Sequence, residues 1–140
     1  MRLSFTLLLI GCWSLALQAQ DPSNIFHRTI DLREIQQFSL ELNPSDSFRV
    51  EPWVGNSLLI ETNVRLNNGK PSLMNHFLEK GRWALVENRE GEQLSLVSQE
   101  MRRNVLTTSR GEVIEEVVVV FYVPENFEPN GQRNWVRKEE

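Results

Sequence analysis

Only one cysteine occurs in the 140 residues, Cys12, and it falls inside the apolar amino-terminal stretch. The rest of the chain has none, which excludes disulfide staples, a cysteine nucleophile and thiolate-bound zinc from its body. Histidine is almost as scarce, with two residues, His27 and His76. An acceptor for N-linked glycan is also missing, because Asn43-Pro44-Ser45 is blocked by its proline. Neither sign of charge dominates. Lys and Arg number 15 against 19 Asp and Glu, a formal net charge of −4, and the two signs are interspersed. That distribution argues against an electrostatic grip on nucleic acid. No repeat of fixed period and no low-complexity tract is present, so stability must come from packing in one ordinary core.

What is there begins with Met1-Arg2, a single basic residue, followed by the apolar run Leu3 to Cys12 and a weaker continuation from Trp13 to Leu17. This is the layout of a secretory signal peptide. Its uninterrupted apolar part is shorter than the roughly 20 residues of a membrane-spanning helix. Cleavage is expected after Ala19, where the chain turns polar, leaving no transmembrane helix in the mature protein. A second reading attaches to Cys12. Leu9-Ile10-Gly11-Cys12 resembles the lipobox of bacterial lipoproteins, whose cysteine is acylated. The competing view, a small apolar residue within the signal's core, is favoured because apolar sequence continues past it.

Beyond the signal the dominant pattern is two-residue alternation. Residues 20–36 form a lead-in with a possible first strand, in which Ile30 and Leu32 begin the pattern faintly. Residues 37–124 are the β-rich domain. Phe38, Leu40 and Leu42 make an inward set ended by Asn43-Pro44-Ser45-Asp46; Phe48 and Val50 line a second strand. Leu58, Ile60, Thr62, Val64 and Leu66 form the longest alternating set. Pro71 then opens a helix of about ten residues, with Leu73, Met74, Phe77 and Leu78 on one face and Gly81 at its end. Strands resume from Trp83 to Glu87 and from Gln93 to Gln99. Segments 102–108 and 113–123 read as a hairpin. Its apolar run Val117 to Val123 demands a central, covered place, with Glu115 and Glu116 as flanking charges. Residues 125–140 are a tail, partly docked through Trp135, with Arg137 to Glu140 fraying. The predicted fold is mostly β: a twisted antiparallel, sandwich-like single domain with one short helix at about 71–80.

The succession of strands from Phe38 to Val123, the helix-bearing connection, and the apolar strand that closes on Val123-Pro124 resemble the leading portion of the "head GIN" auto-transporter adhesin family. The resemblance implies an exported bacterial protein, with strands that in the family feed a β-solenoid. The helix Pro71 to Lys80 and the absence of a downstream solenoid depart from the family's pattern. No catalytic residues are carried over.

The candidates for chemistry are few. A zinc site needs three or four ligands, and His27 and His76, the latter three residues before Glu79, do not supply them. No metal and no cofactor is therefore expected. Ser57, after Gly55-Asn56, is the nearest thing to a nucleophile turn and lacks the surrounding glycine pattern. Glu115 and Glu116 are strand neighbours and point to opposite faces. Glu61 could approach Glu87 as a carboxylate pair, against the plainer reading of a solvated sheet face. Trp53, Trp83 and Trp135 could stack on sugar rings, but more often such residues are core. Arg102-Arg103 with Arg110, beside Glu100 and Glu112, could grip a phosphate or surface polymer, or simply be a solvated hairpin tip. No catalytic residue is assigned. The expectation is an exported, non-enzymatic binding module of a bacterial cell envelope (periplasmic, outer-membrane associated or secreted). Its expected partner is an envelope protein or surface polymer, met through an edge strand. The alternatives are a small secreted hydrolase using two carboxylates, and a lipid-anchored accessory protein.

Overall fold

The computed structural model describes residues 20–140, so Cys12 and Ala19 lie outside the described residues. The chain forms, in order, β1 (Ser23–Asp31), β2 (Gln37–Glu41), β3 (Ser47–Trp53), β4 (Ser57–Asn67), α1 (Pro71–Lys80), β5 (Leu85–Glu90), β6 (Gln93–Ser98), β7 (Leu106–Thr108), β8 (Gly111–Pro124), β9 (Phe127–Pro129) and β10 (Asn134–Arg137). Two sheets result. The first has the order β1-β4-β8-β3, with β7 folded onto the start of β8; the second has the order β5-β6-β2-β10-β9. The fold is mostly β and sandwich-like with one short helix, as the alternation predicts.

Two pairings are parallel, β3 with β8 and β2 with β6. The other pairings are antiparallel, in line with a mostly antiparallel sandwich, and the reason for the two exceptions is local. The loop Asn43–Asp46 throws consecutive strands β2 and β3 into different sheets, so each must pair with a strand arriving from far along the chain.

Alternation sets the core. On β4 every second residue from Leu58 to Leu66 is buried, and each faces the inner row of β8 in register: Ile60 opposite Phe121, Thr62 opposite Val119, Val64 opposite Val117. The second sheet answers with Phe38, Leu40, Leu94, Leu96 and Trp135. The apolar run of β8 lies between β4 and β3, where neither of its edges is free. Its Val120 and Phe121 are fully buried although they point to opposite faces.

Helix α1 crosses from the first sheet to the second. Pro71 occupies its first turn and Gly81 terminates it at φ 69°. Backbone N–H groups of Gly81 and Arg82 donate to the carbonyls of Leu78 and Phe77, the two bonds of a Schellman cap. Met74 is buried and Leu73, Phe77 and Leu78 pack against the core. No helix among the described residues is long and apolar enough to cross a membrane.

Two segments carry more structure than alternation reveals, and a third carries less. The lead-in contains a nine-residue strand, β1, laid along β4 from Ser23 to Asp31. Its inner row is Phe26, Arg28 and Ile30, and the arginine interrupts the apolar signal. The tail contributes two strands: β10 pairs with β2 on one side and β9 on the other. Trp135 stacks on Phe38 with ring centroids 5.2 Å apart, and Phe127 closes on the same ring at 5.4 Å. Arg137 is pinned as well, donating from Nη2 to the Leu32 and Ile35 carbonyls at 2.5 and 2.9 Å. In the hairpin, by contrast, β7 is only three residues long, because Arg103 turns inward. Trp135→Ala is expected to cost about 3–5 kcal/mol of folding stability, a large-to-small loss in a filled core, read from urea denaturation midpoints.

Candidate functional site

Inward-facing polar groups gather at the end of the sandwich beside the helix cap. Leu66 pairs with Glu115, so the register that buries Leu66 also turns Glu115 toward the core. Arg82, placed one residue after the cap glycine, meets it with two bonds, Nε to Oε1 at 2.7 Å and Nη2 to Oε2 at 3.0 Å. Its remaining donors reach Glu100 Oε2 at 3.2 Å and the Asn104 carbonyl at 3.1 Å, and the guanidinium lies 4.5 Å over the Phe77 ring. Trp83 Nε1 donates to the same carboxylate at 2.9 Å. Close by, Arg103 is paired with Asp46, their side chains 6% and 8% exposed. The solvated hairpin tip read from Arg102-Arg103 is therefore corrected for Arg103; Arg102 and Arg110 are exposed. The reading of Glu115 as a flanking surface charge is corrected too. Every side-chain polar atom buried among the described residues has a partner, so this cluster is a lock with its donors occupied.

The lock is sensitive to protons in two opposed ways. Burial pushes the Glu115 carboxyl up, but the Arg82 hydrogen bonds, the Arg82 charge and the Trp83 bond together bring it below its ordinary 4.5. Burial raises Asp46 above its ordinary 3.8, against the pull of Arg103. A lowered carboxyl adds stability that is complete above its unfolded value and lost as pH falls through its folded one. A raised carboxyl works in reverse, favouring the fold below its unfolded value and losing that contribution as pH rises through its folded one.

The second polar feature is a seam where edge strand β1 of one sheet runs beside edge strand β5 of the other. Arg28 crosses it, donating to the Leu85 carbonyl at 2.5 Å and to Glu87 at 2.6 Å. Arg89 crosses in the other direction, reaching the Asp31 carbonyl at 2.9 Å. The seam is thus bridged at two arginines and carries no backbone ladder. Beneath it lies a slot of about 220 Å³ lined by Phe26, Arg28, Ile60, Trp83, Ala84 and Leu85, with His27 and Thr62 at its margin. Leu66 N–H donates to Pro22 O at 2.9 Å, which fixes the phase of the β1–β4 ladder. By the alternation of antiparallel bonding, Asn24, Phe26, Arg28 and Ile30 turn their backbone groups to β4. Those of Ser23, Ile25, His27 and Thr29 face away. The Asp31 carbonyl faces the same way, as its bond to Arg89 requires.

A third feature covers the outer face of the second sheet. A shallow trough of about 560 Å³ is lined by Gln37, Ser39, Asn88, Gln93, Ser95 and Asn134, with Glu87, Arg89, Glu90 and Leu94 completing its wall.

The sequence-selected residues are dispersed among these features. His27 bonds Glu61 at 3.0 Å on the outer face of the first sheet, while His76 stands exposed on α1 beside Phe77, 5.5 Å between centroids. Among the described residues no group of three or more His, Cys, Asp or Glu is placed to hold a metal ion. Glu61 and Glu87 belong to different sheets and have separate partners. Asn63 and His27 hold Glu61 below the usual carboxylate range, whereas Glu87 accepts from Arg28 and, at 2.7 Å, from Arg89. Glu79 is exposed on α1. Glu116 accepts from Asn67 at 2.5 Å on the face opposite Glu115, and Glu112 is exposed near the turn. Trp83 and Trp135 are core. Trp53 is half-buried at an edge, donating to the Ser57 carbonyl at 3.0 Å. A Cβ at Gly55 would sit 2.3 Å from the Trp53 ring, so any side chain there would displace the indole. Alternation alone misses Arg28 and Arg82. The available signal was an arginine at an inward position of a strand or directly after a helix cap.

No protein-family model matches the chain, and no curated protein or solved structure matches it.

Arg82→Leu is expected to cost about 3–5 kcal/mol at pH 7 because it strands the Glu115 charge, while Arg82→Leu with Glu115→Leu restores most of that loss. Urea midpoints measure both. Below pH 4.5 the unmodified chain loses the Glu115 contribution and the double variant has none to lose, so the gap between them narrows with acid.

Proposed function

We propose that the chain is an exported, non-enzymatic binding module of a bacterial cell envelope, adhesin-like in role, which receives an extended segment of a partner protein on the free edge of β1. The signal-like segment 1–19 and the cysteine-free body support export. The single observation that carries the binding reading is the condition of that edge. Natural sheets blunt their edges with short strands, prolines or charge. Edge strand β3 contains Pro52, and β9 is three residues long and ends in Pro129. β1 is nine residues long, contains no proline, and exposes Ile25 at 59%. An added strand would find four outward-facing residues for its ladder and, beneath them, an apolar slot for one alternate side chain. Strand addition with main-chain bonds for affinity and a pocket for specificity is an established mode of peptide recognition.

The test uses substitutions chosen by the phase of the ladder. His27→Pro removes an N–H that points away from β4, so it is expected to leave folding intact. Phe26→Pro removes one that β4 uses and is expected to destabilise the sheet. Displayed libraries of ten-residue peptides are expected to yield binders with an apolar residue at alternate positions, and His27→Pro is expected to abolish their binding. Bound peptide should also slow hydrogen exchange at Ile25, His27 and Thr29. Binding that survives His27→Pro, or protection confined to other strands, overturns the proposal.

A further inference from the structure

The trough on the outer face of the second sheet is a separate feature, on the surface turned away from the core. Its floor is built by register. Asn88 on β5 pairs with Ser95 on β6, Ser95 with Ser39 on β2, and Ser39 with Asn134 on β10. The four side chains therefore form one row across four adjacent strands. A second row runs beside it, Glu90 to Gln93 to Gln37. Alternation sends Phe38, Leu94 and Trp135 inward and leaves these residues outward. None of the described side-chain hydrogen bonds engages this row, whereas the neighbouring Glu87 and Arg89 are tied to each other and across the seam.

We infer that this trough binds a neutral, hydroxyl-rich chain of the glycan type. Three properties of the floor point there. Amide side chains both donate and accept, and so do hydroxyls, which is the bonding pattern of a sugar hydroxyl. The main row carries no formal charge, and the charges at the lip are Arg89 with Glu87 and Glu90, of which Glu87 is already paired with Arg89, so a polyanion is not matched and one free carboxylate is little for a polycation. The row's members are spaced by the strand separation of about 4.8 Å, close to the repeat of one pyranose unit in an extended glycan. A chain laid across the strands would meet one polar side chain per sugar. The lining contains no aromatic residue, so recognition rests on hydrogen bonds, each of modest net value, and affinity is weak for any short oligomer. This site is independent of strand addition at β1.

The experiment is an NMR titration of the purified protein, followed through the side-chain amide signals of Gln37, Asn88, Gln93 and Asn134. Cellotetraose and chitotetraose serve as neutral probes and an oligogalacturonate as the anionic one. The expected result is a saturable shift of those four signals with at least one neutral oligomer. Ser39→Ala with Ser95→Ala should weaken binding about tenfold, the loss of two ordinary hydrogen bonds. Binding should be unchanged in His27→Pro, which separates this site from the edge of β1. Silence of the four signals at millimolar neutral oligomer, shifts that map to another face, stronger binding of the oligogalacturonate, or indifference to the serine substitutions would each overturn the inference.

Discussion

The two-bond contact between Arg82 and Glu115 is the constraint on which the rest of the architecture turns. It joins the end of the helix, the long central strand and, through Glu100 and Asn104, the loop that leads to β7. Without it, the corner where the chain passes from one sheet to the other would leave the half-buried Glu115 carboxylate without its cation. A buried ion pair is seldom a net source of stability compared with well-packed apolar residues. Its value here is positional. The guanidinium's four hydrogen bonds run from the residue after the helix cap to β8 and to the loop before β7, which ties the end of the helix to both.

Charged side chains bridge the seam in a similar way, and with a different result. Arg28 and Arg89 take carbonyls that a further strand would otherwise use, one on β5 and one at the end of β1. The remainder of the β1 edge is left with its backbone groups facing outward. The molecule is thus fastened at one end and open along one side. Its two surface features, the β1 edge and the amide-lined trough, sit on opposite sides of β5.

Much of this was legible in the sequence because strand alternation is a local signal. The β4 set from Leu58 to Leu66, the helix from Pro71 to Lys80 and the central place of Val117 to Val123 all follow from spacing and from the hazard of exposing such a run. What spacing could not provide was long-range pairing. Whether β2 and β3 share a sheet depends on partners more than fifty residues away, and the parallel pairings follow from that choice. Nor could it reveal Glu115 as a half-buried anion turned toward the core. A glutamate at an inward strand position looks like a boundary until its arginine is known, and Arg82 lies 33 positions earlier. β1 was faint for the same reason, since an arginine occupies the middle of its inner row. The trough was illegible because serine and asparagine on an outward face look like any solvated surface until register aligns them.

The position of β10 has a consequence for how the chain reaches its native state. The strand β10 is flanked on both sides, between β2 and β9, and it supplies the indole that stacks on Phe38 in the second layer. That layer cannot be completed until β10 has been synthesised and has reached β2. Topologies dominated by such distant pairings fold slowly. A layer whose indole arrives from so distant a strand stays open until the two ends of the domain have met.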